Sequence, residues 1–300
     1  MTVTTPPVDA PLRDAYLRRL GFATPLPATV ETLYALHRAQ VERIPYESAW
    51  IWLGERRTIA PLDSVRYLVS GRGGYCYHLN GALATLLGWL GFTVHWHSGG
   101  VQGHVDAAPN VGGNHLALTV TDLPSDTNSS GAWYLDTGLG DGPHEPMPLR
   151  EGTYAQGPHT YRLRPSEIAP GGWRFDADPS MSLHGMDFTP GNATPDDLRE
   201  QHEHLQSSRD SSFVRTLAVF RRDTTGVDFL RGRVLSRLGD EENTTELDTS
   251  TDWYACLADV FGLPLSDVDA ERRDALWHKV TAAHEAWQAA VTRAGAAVAQ

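Results

Sequence analysis

Between residues 11 and 44 the apolar side chains recur at helical spacing. Leu12, Tyr16, Leu17 and Leu20 form one set; Leu33, Leu36, His37 and Val41 form a second, after a break at Pro25 to Pro27. Asp63 reads as the cap of a short helix through Leu68 and Val69, and a long apolar run, Gly-Ala-Leu-Ala-Thr-Leu-Leu-Gly-Trp-Leu, follows Asn80 with the same period. The first ~90 residues thus predict a helical bundle. From Phe92 the period changes to two. Val94, Trp96 and Ser98 alternate with His95 and His97; Leu116, Leu118, Val120 follow, then Trp133 and Leu135, with Gly, Pro and Asn clusters between them. This is the pattern of antiparallel strands, continuing through Tyr161, Leu163, Trp173 and Phe175, with residues 122–131 as a polar hairpin loop. Beyond about 195 the chain mixes a helix (Pro195 to Leu205), strands (Phe213 to Phe220, Val227 to Leu230) and two late helices from roughly 252 and 269. The order is helices, strands, then mixed α and β.

Composition narrows the class. A chain of 300 residues exceeds the usual single core, and no apolar run approaches the roughly 18 residues a membrane span requires. The N-terminus lacks the basic start and apolar stretch of a secretory signal, so a cytoplasmic location is expected. A net charge of −12 repels a phosphate backbone, which argues against nucleic acid as a partner. Lys279 is the only lysine, so a phosphate or carboxylate that binds here is expected to meet a guanidinium. Cys76 and Cys256 are too few for a disulfide framework.

Cys76 stands behind two glycines at the mouth of a helix, in Arg-Gly-Gly-Tyr-Cys-Tyr-His-Leu-Asn (residues 72–80). The free N–H groups and macrodipole of a helix start favour a thiolate, the nucleophilic form of cysteine. Gly73 and Gly74 are expected to let the backbone turn tightly and to leave the sulfur open to approach. A nucleophilic cysteine also needs a base and a group that orients it. His115 opens the strand His-Leu-Ala-Leu-Thr-Val, and Asp136 ends Trp-Tyr-Leu-Asp where a strand breaks into a glycine turn. If those strands are neighbours, the two side chains lie together, facing the end of the helix that carries Cys76.

The cysteine stretch resembles the Arg-Gly-Gly-x-Cys-(Phe/Tyr)-Glu-x-Asn signature of the arylamine N-acetyltransferases. Ile44-Pro45-Tyr46-Glu47-Ser48 is similar to that family's Val-Pro-Phe-Glu-Asn, Asn114-His115 to its Thr-His, and Leu135-Asp136-Thr137-Gly138-Leu139-Gly140 to its Val-Asp-Val-Gly-Phe-Gly. Ser212-Phe213, Leu230-Arg231-Gly232-Arg233 and Phe261-Gly262-Leu263 resemble later segments. The resemblance implies an α+β fold with a cysteine-protease/transglutaminase-like core. Residues 1–91 would be a helical bundle carrying the nucleophilic cysteine, 92–194 an antiparallel β-barrel carrying the histidine and aspartate, and 195–300 an α/β lid. It implies a Cys76, His115, Asp136 triad and a substrate and cofactor wall of Tyr46, Arg72, Gly138, Leu139, Gly140 and Phe213. The activity implied is ping-pong transfer of an acetyl or other acyl group from coenzyme A, through acyl-cysteine, to an aromatic amine or hydrazine. Acetyl-CoA is then a co-substrate and no metal is needed.

This chain departs from the signature at His78 for glutamate, Leu139 for the turn aromatic and Ser48 for asparagine, which bears on donor and acceptor choice. An amide synthase taking a longer acyl chain from an acyl carrier protein is an alternative, as is a cysteine hydrolase. His95 and His97 share a strand face but suggest no third metal ligand, and the glycine runs lack the Lys-Ser/Thr of a phosphate loop. Arg231 and Arg233 are candidates for a coenzyme phosphate or for a solvated turn.

Overall fold

The computed structural model describes residues 5–239 and 242–298. The chain begins with helices α1 (Ala10–Arg19) and α2 (Val30–Arg43), whose buried faces are Tyr16 and Leu17, and Leu33, Leu36, His37 and Val41, as the periodicity predicts. Asp9 and Thr29 cap them, each side-chain oxygen accepting a backbone N–H of the first turn. A two-residue strand β1 (Tyr46–Glu47) and a short helix α3 (Ala49–Trp52) precede α4 (Pro61–Val69). Asp63 is not the cap of α4. Pro61, with its fixed φ and no N–H, opens that helix, and Asp63 sits inside the first turn, paired with Arg66 and bonded to Thr58.

Helix α5 (Cys76–Trp89) has no polar face: every residue but Gly88 is buried. Such a helix must be surrounded. It packs against α4 and α1 on one side and strands β2 (Thr93–Gln102) and β3 (His115–Thr121) on the other, so its first turn is held against the sheet. The remaining strands of that sheet are β4 (Trp133–Leu135), β5 (Met147–Pro148), β6 (Gly152–Gln156), β7 (His159–Pro165), β8 (Trp173–Asp176) and β9 (Gly185–Phe188). The eight run antiparallel in the order β5-β4-β3-β2-β9-β8-β7-β6 and curl into a nearly closed barrel. Tyr134 stacks between Phe188 (5.4 Å, 15°) and Phe175 (5.7 Å, 29°) in its core. The loop 122–131 joins β3 to β4 and carries more structure than a polar loop needs: Asn128 is buried and donates to Ala132 O, and Trp133 Nε1 donates to Leu123 O.

The rest of the chain is α6 (Pro195–Ser207), α7 (Ser212–Arg215), β10 (Ala218–Arg222), β11 (Gly226–Arg231), β12 (Val234–Gly239), β13 (Asn243–Glu246), α8 (Ser250–Asp259) and α9 (Ala270–Val298). The strand expected from Phe213 begins only at Ala218. Ser211 Oγ accepts the Phe213 N–H and caps one helical turn first. Strand β1 pairs with β10, Tyr46 opposite Phe220, and closes a second sheet in the order β1-β10-β11-β12-β13. The N-terminal helical region is therefore stitched to the late sheet by a strand that its helical periodicity hides. Among the described residues no helix is long and apolar enough to cross a membrane.

Candidate active site

Cys76 is the first residue of α5. Tyr75 before it is extended and supplies no side-chain cap, so the N–H groups at the helix start stay directed out of the helix end beside the sulfur. The glycines ahead of it serve close approach rather than a tight turn. A Cβ on Gly73 would stand 2.0 Å from Pro45 O, because Glu47 N–H donates to Gly74 O at 2.9 Å and draws β1 against the cysteine loop. Arg57 Nη1 donates to Gly73 O at 3.0 Å from the other side.

His115 starts β3, opposite Gly99 of β2, and Asp136 follows β4 directly; β3 and β4 are neighbours in the barrel sheet. His115 Nε2 donates to Asp136 Oδ2 at 2.7 Å, with both side chains buried. Cys76 and His115 line the same cavity, and the Cys76 Sγ–H points to Asn114 O, the carbonyl just before His115, at 3.8 Å. Burial works against a charge on His115, but the Asp136 carboxylate and the Cys76 sulfur outweigh it and push the imidazole up to about 10.

The Asp136 carboxylate accepts four hydrogen bonds: from His115, from Tyr134 Oη (2.9 Å), from Asn80 Nδ2 (2.8 Å) and from Gly138 N–H (2.9 Å). Its own N–H donates to His37 Nε2 at 3.3 Å, while His37 Nδ1 donates to His144 O at 3.0 Å. Burial lowers His37 to about 4, so that ring is neutral and can accept. Asn80, Tyr134 and His37 escape pattern reading because each shows an ordinary helix or strand periodicity. Only Asn80, inside the cysteine motif, carries a signal.

The site opens into a cavity of about 750 Å³. Of the residues expected at its wall, Tyr46, Gly138, Leu139 and Phe213 line it together with Cys76 and His115. Gly140 does not; it has φ +79° and turns toward Phe220. Arg72 does not either. Its guanidinium is held by Glu55 (2.6 Å) and Asp267 (3.1 Å), and it is 3% exposed, so the arginine of the motif ties loops together at this position. Arg215 and Arg231 do line the cavity and, among the described residues, form no ion pair, and Trp52 and Trp287 also contribute to the wall. His78 stacks on Tyr75 (5.0 Å, 21°) with neither ring nitrogen hydrogen-bonded to a described residue, and burial, then Arg57 and His202, hold it well below the usual histidine range. The first turn of α5 therefore carries no charge from it. His95 and His97 bond to Thr121 and Asn192 and to Thr119 and Gly191, and are accounted for within the barrel sheet.

Gly138 lies hard against Cys76: a Cβ there would lie 2.6 Å from Cys76 Cα and 2.9 Å from its Cβ. Gly138→Ala is expected to lower stability by about 1–3 kcal/mol through overpacking. Because the displaced atoms carry the sulfur, kcat should fall at least about tenfold, checked by thermal melts alongside steady-state rates.

The sequence model described as N-acetyltransferase matches residues 29–270. Two curated relatives are similar over shorter stretches. Proansamycin X synthase of Amycolatopsis mediterranei (strain S699) is 34% identical over 85 residues, 27% of this chain and 33% of its own length. The arylamine N-acetyltransferase of Mycolicibacterium smegmatis is 33% identical over 155 residues, 49% of this chain and 54% of its own. The chain thus matches a third and about half of the length of these curated relatives. In three dimensions it is similar to the Mycobacterium marinum arylamine N-acetyltransferase solved in complex with CoA. That likeness has a TM-score of 0.78 and 25% identity, and covers 89% of this chain and 97% of that one.

Proposed function

The chain belongs to the N-acetyltransferase family whose model it matches, that of the arylamine N-acetyltransferases, and from that premise we propose that it transfers an acyl group, acetyl in the first instance, from a coenzyme A thioester through Cys76 to an aromatic amine or hydrazine. The observation that carries this reading is that Cys76 and His115 line one cavity of about 750 Å³ while Asp136 holds the His115 ring from behind at 2.7 Å. The proposed division of labour follows the chain: residues 1–91 carry the nucleophile, 92–194 the histidine and aspartate, and 195–300 the outer wall.

The proposed resting pair is a Cys76 thiolate beside a protonated His115, which the Asp136 carboxylate holds through Nε2. The thiolate attacks the thioester carbonyl. The bond to the coenzyme sulfur breaks, and that sulfur leaves with the imidazolium proton, so His115 becomes neutral and Cys76 is acylated. The amine nitrogen then attacks the acyl-cysteine, its proton passes to His115, and Cys76 departs as thiolate. One product leaves before the second substrate reacts, which makes the kinetics ping-pong. Exchange between thioesters is nearly balanced, so the protein mainly orients the groups and stabilises the oxyanion; the N–H groups at the start of α5 serve as donors. Arg215 and Arg231, which line the cavity and form no ion pair among the described residues, fit the phosphates of the coenzyme.

A second reading uses the same nucleophile for a longer acyl chain delivered by an acyl carrier protein. The similarity to proansamycin X synthase and a cavity larger than an acetyl group requires both favour it. The test of both is intact mass and peptide mapping after incubation with acetyl-CoA and, separately, with longer acyl and carrier-bound thioesters. An acyl mass confined to the Cys76 peptide and discharged by aniline-type amines is expected. An unmodified Cys76, or peptide hydrolysis with no amine requirement, overturns the transferase reading.

A further inference from the structure

Tyr46 stands where the related motif carries phenylalanine, so its hydroxyl is a feature of this chain. Its backbone is fixed twice: Tyr46 pairs with Phe220 across β1 and β10, and bridges to Gly74 in the loop before Cys76. Its ring packs edge-on against Phe220 (5.6 Å, 85°) and tilts against Phe213 (6.3 Å, 46°), leaving the residue partly exposed to the cavity that Cys76 and His115 share.

The neighbouring phenols have partners inside the protein. Tyr75 donates to His202 Nδ1, Tyr77 to Gly113 O and Tyr134 to Asp136 Oδ2. Tyr46 Oη makes no hydrogen bond to any described residue. A tyrosine packed this deeply ordinarily finds a partner for its hydroxyl. Facing the reaction chamber, this one is positioned for a group that enters it.

We propose that Tyr46 Oη donates a hydrogen bond to the acyl oxygen on Cys76, adding a side-chain donor to the backbone donors of the helix start in both halves of the reaction. Electrostatics favour this role over recognition of a distant part of the acceptor. Burial and then the negative Cys76 sulfur raise the phenol well above the usual tyrosine range, which keeps its proton in place and marks the sulfur as its strongest charged neighbour. When the thiolate attacks, its charge moves to the carbonyl oxygen one bond beyond the sulfur. A donor on the wall of the cavity that Cys76 also lines, on a strand bridged to the loop before Cys76, can meet that charge without a change of fold. No proton is transferred; it stays on the phenol oxygen throughout.

This inference rests on the proposed acyl-cysteine chemistry, and Tyr46→Phe tests it separately. The substitution removes one oxygen and restores the residue of the related motif, so the fold should be retained. Rapid-mixing measurement of Cys76 acylation by acetyl-CoA and p-nitrophenyl acetate, and of its discharge by ring-substituted anilines, is expected to show both steps slowed about 10- to 100-fold. The factor should be the same for every acceptor, with acceptor KM within about twofold of wild type. Rates unchanged, or a loss confined to acceptors bearing particular substituents, overturn the assignment. Absence of acyl-Cys76 in the wild-type protein would instead refute the underlying chemistry.

Discussion

Cys76→Ala abolishes turnover with every acyl donor, a loss on the order of 10⁴-fold or more, because among the described residues lining the cavity Cys76 is the one thiol. The second cysteine cannot substitute. Cys256 is buried on α8 away from the cavity, and burial, then Asp228 and Asp259, push its thiol up to about 11, so it is un-ionised at neutral pH. Iodoacetamide at pH 7 should accordingly label the wild type once, on the Cys76 peptide, and the alanine variant not at all. Acyl transfer that survived Cys76→Ala would require a different nucleophile and end the whole scheme. Cys76→Ser gives a further reading. Without a negative sulfur beside it, the His115 imidazole should titrate below its wild-type value of about 10 while Asp136 still holds it above an ordinary histidine, observable by NMR of the ring.

Asp136→Asn should come second, with kcat reduced by about 10³–10⁴-fold. Size is preserved, so the loss comes from proton logic. The carboxylate accepts from His115, Tyr134, Asn80 and Gly138; an amide can accept on its oxygen but presents N–H to the remaining donors. If the oxygen keeps Asn80 and Gly138, the NH₂ faces His115 Nε2, which must then give up its proton to accept. The imidazole proton moves to Nδ1, and the ring can no longer take a proton from the thiol side. The pH dependence follows from the sign of the shift. A raised imidazole pKa means that the acid which protonates the departing coenzyme sulfur is present below about 10 and is lost as pH rises through it. In Asp136→Asn the decline in acylation rate should begin at lower pH, because the largest influence raising the imidazole is gone. An acylation profile identical to wild type would show that the carboxylate does not govern that ring.

Much of the site was legible because the signals were local. Cys76 at a helix start, His115 at the head of an apolar strand and Asp136 at a strand end each sit where a short pattern changes period, and short patterns are what a linear reading detects. Arg72 shows the limit of that reading. It belongs to the motif, yet Glu55 and Asp267, 17 and 195 residues away in sequence, claim its guanidinium. Likewise β1 is only two residues long, too short for any periodicity to register, and its partner lies on β10. The support of Asp136 by Asn80, Tyr134 and His37 draws on α5, β4 and α2 at once, and none of those positions departs from the pattern of its own element.

Sequence alone determined most of the elements and the candidate reactive residues, because period, capping and turn chemistry act over a few neighbours. The tertiary structure decided which charges are neutralised, which hydroxyl faces the cavity and which side of each glycine is crowded. Those depend on burial and on contacts between residues far apart in the chain, where desolvation and Coulomb terms outweigh any local preference.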